Sequence, residues 1–251
     1  MIIGIIPARY GSTRFPGKPL ADIGGKTMIQ RVMEQAGQAQ SLDKIIVATD
    51  DERIAEVVVR LGGEAVMTRT DHPSGTDRCW EAYSRFVTDG QKAASSTDYI
   101  INIQGDEPFI DPEQIDELAA ILDGTVELAT QMASVDSAEM LHDPKEAKIV
   151  VNTRNEVVYF SRSAIPYLWG LDPAVWHQHH AYRRHVGLYA YRADILEQIT
   201  QLPPSPLEQA ESLEQLRWLE AGYRIKLVET RHQTPSIDSP GDIEKALRAI
   251  Q

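Results

Sequence analysis

Three short stretches carry the residue types from which phosphate chemistry is built. In PARYGSTRFPGKPL, Pro7 to Leu20, Gly11 and Gly17 are interleaved with Arg9, Arg14 and Lys18. Glycine lets a backbone approach a ligand closely, exposed N–H groups bind anions, and guanidinium and ammonium groups add the charge a triphosphate calls for. The alternative is a solvated basic turn. It is not a P-loop: five residues separate the two glycines, and Pro19 follows Lys18 where that motif places Ser or Thr. In NIQGDEP, Asn102 to Pro108, the apolar run DYIINI leads into Gly105, Asp106 and Glu107. The carboxylates thus emerge at the carboxyl end of a strand, where open α/β sheets bind ligands. Asp106 there can hold Mg²⁺, whose usual site is one or two carboxylates plus substrate phosphates, or the acidic pair can cap the next helix. In RTDHPSGTDR, Arg69 to Arg78, the Ser74-Gly75-Thr76 loop has two readings: small polar groups that discriminate the edge of a base, or an ordinary turn with Thr76 as a helix N-cap.

Later motifs are more ambiguous. PSIDSPGDIEKAL places Asp238 before a terminal helix, with Ser239 at the N-cap and Pro240 at its first position, so Asp238 is either a second metal ligand or part of the cap. FSRSAIPY offers Arg162, and HVGLYAYR offers His185 and Tyr189, groups able to hold an anionic sugar or to sit satisfied on a strand. In PLEQAESLEQLRWL, Glu211 and Gln215 are four apart and share one face of a helix, away from a Leu213–Leu216 stripe directed at the core.

Composition narrows the partners. The chain has 251 residues, 42% of them hydrophobic, enough for a sizeable core. Its net charge is -12, yet the first thirty residues hold four cations (Arg9, Arg14, Lys18, Lys26) against one anion, Asp22. An acidic protein with a local basic loop suits a small anionic ligand in a focused pocket, with no nucleic acid and no anionic membrane as partner. No stretch approaches the roughly 20 apolar residues of a membrane span, so no membrane insertion and a cytoplasmic location are expected. The single cysteine, Cys79, excludes an internal disulfide and reads as a buried or half-buried small apolar residue.

The elements that must position these groups alternate. IIGII, TMIQRVMEQAGQA, KIIVATD, ERIAEVVVRLGG, EAVMT, DRCWEAYSRF, DYIINIQ and PEQIDELAAIL read as successive βα units with a mainly parallel sheet. After about residue 126, ELATQMASV, AKIVVNTRNEVVYFSR and RRHVGLYAYR predict added antiparallel strands, with a turn at Thr153-Arg154-Asn155. A helix around PLEQAESLEQLRWLEAG, a strand RIKLVET and a last helix DIEKALRAI follow. The aromatic and histidine-rich segment from Tyr167 to Tyr182 is too long for a connector and reads as a lid, a binding loop or a subunit contact. The expectation is one α/β domain, with a nucleotide-binding half over 1–125 and a sugar-binding and dimerisation half over 126–251. The dinucleotide fingerprint G-x-G-x-x-G is absent, which disfavours a nicotinamide enzyme.

Together, PARYGSTRFPGKPL, ATDDERI, MTRTDHPSGTDR, NIQGDEPFI, YFSRSAIPY, HVGLYAYR, PLEQAESLEQLR and IDSPGDIE resemble, in order, the 3-deoxy-manno-octulosonate (Kdo) cytidylyltransferases. The resemblance implies a single glycosyltransferase-A-like nucleotide-binding domain that, with Mg²⁺, converts CTP and Kdo to CMP-Kdo and pyrophosphate for lipopolysaccharide or capsule synthesis, as a homodimer. It implies nucleotide contacts from Ala8, Arg9, Gly11, Ser12, Arg14, Lys18, Ser74, Gly75, Thr76, Arg78 and Gln104. Asp106 and Asp238 would be the metal ligands, catalytic together with Arg14 and Lys18. Arg162, His185, Tyr189, Glu211 and Gln215 would line the sugar site. A relative activating amino-Kdo or a sialic acid, and a non-catalytic nucleotide-binding protein on the same scaffold, are the alternatives.

Overall fold

Apolar residues in the first strands are not confined to alternate positions, so both faces of the sheet must be covered. The computed structural model describes residues 1–11, 15–89, 97–232 and 236–249. Strands β1 (Ile2–Ala8), β2 (Lys44–Thr49), β3 (Glu64–Met67) and β4 (Tyr99–Asn102) pair in parallel, with helices α1 (Met28–Ala36), α2 (Glu52–Arg60) and α3 (Gly75–Asp89) between or beside them. Ile3 and Ile5 face one core and Ile6 the other, and likewise Ile46 and Ala48 against Val47. The first face is covered by α3, the second by α1, α2 and α4 (Pro112–Ala119).

The second half departs from this rhythm as its sequence predicts. β5 (Leu128–Ser134), α5 (Ala138–His142), β6 (Lys148–Val151), β7 (Val157–Ser161), α6 (Trp176–His179) and β8 (Arg183–Arg192) lead to α7 (Ala193–Thr200), α8 (Pro206–Glu211), α9 (Gln215–Glu220), β9 (Ile225–Glu229) and α10 (Pro240–Ala249). The sheet order is β3-β2-β1-β4-β8-β5-β9. β8 runs antiparallel to both β4 and β5, β9 returns parallel to β5, and the β6–β7 hairpin attaches to the start of β8. Asn155, at φ 55, closes the predicted hairpin turn.

Three expectations are corrected. Thr76 is not a cap: α3 starts at Gly75, and the Ser74 hydroxyl accepts from Asp77 N at 3.2 Å, so Ser74 is the capping residue. The helix expected over 206–222 is two helices, because Ser212 adopts a left-handed conformation at φ 52 after Glu211. Glu211 and Gln215 therefore do not share a helical face, although Leu213 and Leu216 are buried as expected. β8 forms as an antiparallel strand as expected, and its pairing with β5 is interrupted within its length. Thr130 pairs with Tyr189 but Gln131 with Val186, so Gly187 and Leu188 bulge out of the β5 ladder.

Candidate active site

The cleft opens at the carboxyl ends of β1 and β4. Its walls include Arg9, Lys18, Pro73, Ser74, Gly75, Arg78, Gln104, Asp106 and Asp238, around a volume of about 270 Å³. Gly105 makes this approach possible: a Cβ there would lie 2.6 Å from the Pro7 carbonyl oxygen at the end of β1. Gly17 closes the base of the basic loop, at φ +71 and with its N–H donating to Tyr10 O at 2.9 Å. Ser12 and Arg14 lie outside the described residues. Arg9 is exposed, and Ala8 is buried where β1 ends. A broader groove of about 640 Å³ between α1 and the β2–β3 edge has Lys44 with Glu34 and Glu64 among its described lining residues.

Lys18 joins the two proposed metal ligands. Its Nζ is 2.7 Å from Asp106 Oδ2 and 3.8 Å from Asp238 Oδ1, and Ile237 N donates to Asp106 O at 2.9 Å to tie the two segments together. Residues 88 and 220 positions after Lys18 are thereby brought to one point. Two carboxylates converging on one cationic group form a hard-oxygen donor set of the kind that suits a divalent ion. The Ser74-Gly75 turn adds the N-terminus of the 15-residue α3, whose dipole and unpaired N–H groups favour an anion.

Arg78 lines the cleft but is largely engaged. Its guanidinium donates to Thr68 Oγ1 at 2.6 Å and pairs with Asp50 at 2.9 Å, 3% exposed, so it braces the wall. Gln104 donates its Nε2 to Gly187 O at 3.0 Å and so links the β4 loop to the β8 bulge. Beyond that link stand His185 and Tyr189, with ring centroids 5.0 Å apart. Tyr189 also packs edge-on to Trp218 at 5.4 Å. Burial pushes the His185 imidazole down to about 3, and holds the Tyr189 phenol well above its ordinary value.

The other residues expected at the sugar divide. Arg162 donates to the carbonyls of Glu211, Pro144 and Ser212, while both Glu211 carboxylate oxygens accept, from Ser161 Oγ at 2.7 Å and from Arg162 N at 2.9 Å. These two residues form a latch joining β7 to α8. Gln215 is buried at the start of α9.

Comparison with known proteins decides the family. A cytidylyltransferase family model matches residues 3–226. The chain is 54% identical over 243 residues to the 3-deoxy-manno-octulosonate cytidylyltransferase of Cytophaga hutchinsonii, covering 96% of this chain and 94% of that one. It is 45% identical over 248 residues to the Escherichia coli protein of the same name, at 98% and 94% coverage. The chain belongs to the 3-deoxy-manno-octulosonate cytidylyltransferase family. Among solved structures, CMP:2-keto-3-deoxy-manno-octonic acid synthetase complexed with CTP superposes with a TM-score of 0.87 at 44% identity, over 99% of this chain and 98% of that one. A 4-diphosphocytidyl-2C-methyl-D-erythritol synthase, at 12% identity and a TM-score of 0.65 over 100% and 98% of the two chains, shares the fold.

For a 3-deoxy-manno-octulosonate cytidylyltransferase, the notable residue missed in the sequence is Glu214. Ser74 Oγ lies 3.1 Å from its Oε1 and 2.6 Å from Asp77 Oδ2, so α9 reaches the cap of α3 beside the cleft. Burial raises the Glu214 carboxyl above its ordinary range. Its signal in the sequence is a carboxylate placed between the buried Leu213 and Leu216. Cys79 is fully buried and its thiol is pushed up by desolvation, which suits packing rather than nucleophilic chemistry. The Tyr167–Tyr182 segment is anchored by Trp176 and Tyr182 in a small separate core with Val135 and Leu141, and it presents Tyr167 and Trp169 outward.

Proposed function

We infer that this protein transfers the cytidylyl group of CTP to 3-deoxy-manno-octulosonate and releases pyrophosphate. The observation that carries this reading is the convergence of Lys18, Asp106 and Asp238 at the cleft floor of a family member. The anomeric hydroxyl of the sugar attacks the α-phosphorus, the P–O bond to the β-phosphate breaks, and the pyrophosphate takes the electron pair. Nucleophile and leaving group are both negative, so the protein's work is positioning and charge stabilisation.

Arg9, Arg14 and Lys18 would meet the triphosphate, together with the N-terminus of α3 and the Gly11–Ser12 backbone. Ser74, Gly75 and Thr76 would border the nucleotide. Ala8 and Gln104 would border it from the strand ends, and Arg78 would hold that wall from beneath. The family generally uses a divalent metal, and the two carboxylates fit one. Asp106 and Asp238 would hold Mg²⁺, which when bound shields the phosphate charge and lowers the pKa of the sugar hydroxyl. His185, Tyr189 and Gln215 would line the sugar side, with Arg162 and Glu211 fixing the loop around it.

The half over 1–125 would thus serve the nucleotide and the half over 126–251 the sugar and a homodimer contact. No helix among the described residues is long and apolar enough to cross a membrane. The enzyme would work in the cytoplasm, supplying lipopolysaccharide or capsule synthesis. A pyrophosphate-release panel of the four ribonucleoside triphosphates against several 2-keto sugar acids, with and without Mg²⁺, tests the reading. Release confined to CTP, Kdo and Mg²⁺ is expected. Preference for a sialic acid or amino-Kdo, or CTP binding without release, would replace it.

A further inference from the structure

Four residues of regular strand rise about 13 Å, yet the rings of His185 and Tyr189 meet at 5.0 Å. The β8 bulge brings them together, and one side chain from β5 sits at its centre. Thr130, fully buried, places its Oγ1 2.8 Å from Leu188 O, 3.2 Å from Val186 O and 3.0 Å from His185 Nε2.

A threonine hydroxyl has a single proton. Both carbonyls can only accept, and Leu188 O is the nearer, so the proton goes there. The imidazole nitrogen beside the same oxygen must then be the donor, since an unprotonated Nε2 would set lone pair against lone pair. We propose that Thr130 is a positioning residue for the sugar site: it fixes His185 as the neutral Nε2–H tautomer and leaves Nδ1 as a hydrogen-bond acceptor for a sugar hydroxyl. The inference rests on the sugar-site reading given above for His185.

Other contacts favour the same state. Phe160 meets the His185 ring edge-on at 5.4 Å and Tyr189 covers it, so rotation of the ring is restricted. Desolvation opposes a positive charge on the ring, and Arg184, adjoining it in sequence, acts in the same direction. A neutral acceptor nitrogen selects an O–H donor and offers nothing to a carboxylate. His185 therefore reads a hydroxyl of the sugar acid, and the sugar's carboxylate is left to cationic or N–H groups elsewhere.

Two measurements test this. Long-range ¹H–¹⁵N correlation spectra of the ¹⁵N-labelled full chain, with the His185 signals assigned by their loss in His185→Ala, should show the Nε2–H form. An Nδ1–H form, or an averaged mixture, overturns the inference even if no Thr130 variant folds. In steady-state assays Thr130→Val should raise KM for Kdo about tenfold, the scale of one hydrogen bond lost from the site, with KM for CTP unchanged. Thr130→Ser should restore it, because the hydroxyl returns without the methyl group. A parallel rise in both KM values, or no rise while His185→Ala raises KM for Kdo, overturns the positioning role. No change in either variant overturns the sugar-site reading itself.

Discussion

Two carboxylates in the site are held in different surroundings, and each makes a distinct test possible. Glu214 is enclosed between α9 and the cap of α3, and burial raises its pKa above the ordinary 4.5. A carboxyl whose folded pKa is raised favours the fold most when protonated in both states, below about 4.5, and that advantage is lost as pH rises through the folded value. Glu214→Gln should therefore gain on the wild type in denaturant midpoint as pH is raised from about 4.5. A constant difference above that pH would mean the carboxyl is already charged in the folded protein. Asp106 instead faces Lys18 at 2.7 Å across the cleft floor. Removing its charge should lower pyrophosphate release by more than about 100-fold in Asp106→Asn, the scale of one electrostatic catalytic group. Near-normal release would remove Asp106 from the proposed metal ligands. Asp106 was legible because it ends an apolar strand, where the fold class places ligands. Glu214 was not, because its partner Ser74 lies 140 positions earlier and no local pattern links the two.

Among the elements, those set by local periodicity and turn residues were readable, and the irregularities within them that long-range pairing sets were not. The βα alternation of 1–125 shows in the sequence because each strand is apolar on both faces and each helix on one. Asp111 with Pro112 likewise announces the start of α4, and the structure has that cap, with the Asp111 side chain accepting from Glu113 N. The break between α8 and α9 was hidden, because Ser212 leaves the helical spacing of Leu213 and Leu216 intact while its own backbone turns left-handed. The β8 bulge was hidden for a related reason: HVGLYAYR alternates like any strand, and the two unpaired residues show only against β5. Gly105 is an element-scale device whose requirement is set by a neighbour 98 positions earlier, Pro7. Its Cα lies so close to β1 that a Cβ would meet the Pro7 carbonyl at 2.6 Å. Backbone cannot yield as a flexible side chain would, so Gly105→Ala should displace the loop carrying Asp106. A stability loss of about 1–3 kcal/mol is expected, on the scale of an overpacked core. Thermal unfolding with parallel pyrophosphate-release assays checks it: wild-type stability and turnover together would show that the loop accommodates a methyl group.

At the scale of the whole molecule, charge and apolar surface are segregated. The net charge of the chain is -12, but the cleft sets Arg9, Lys18 and Arg78 against Asp106 and Asp238, so an anionic substrate meets less repulsion there than the whole molecule's charge implies. The opposite property marks the 164–182 region. Trp169 is 90% and Tyr167 67% exposed, with Leu171 beside them at 38%. Tyr167 is not loose, since its ring packs edge-on against the buried Trp176 at 4.8 Å and lies 6.4 Å from Trp169. Large aromatic side chains held outward on a buried anchor are costly to leave in water and characteristic of association surfaces. The sequence showed the aromatic content of this segment but left its role open, because exposure depends on which rings the small core with Val135 and Leu141 takes in. Trp176 and Tyr182 go inward and Trp169 stays out. If this face joins two copies, a charge placed at its centre must be desolvated without a partner. Trp169→Glu should then sediment at the single-chain mass of 28.0 kDa where the wild type sediments at twice that value. A wild type already at the single-chain mass, or a variant still at twice it, would place the homodimer contact elsewhere or remove it.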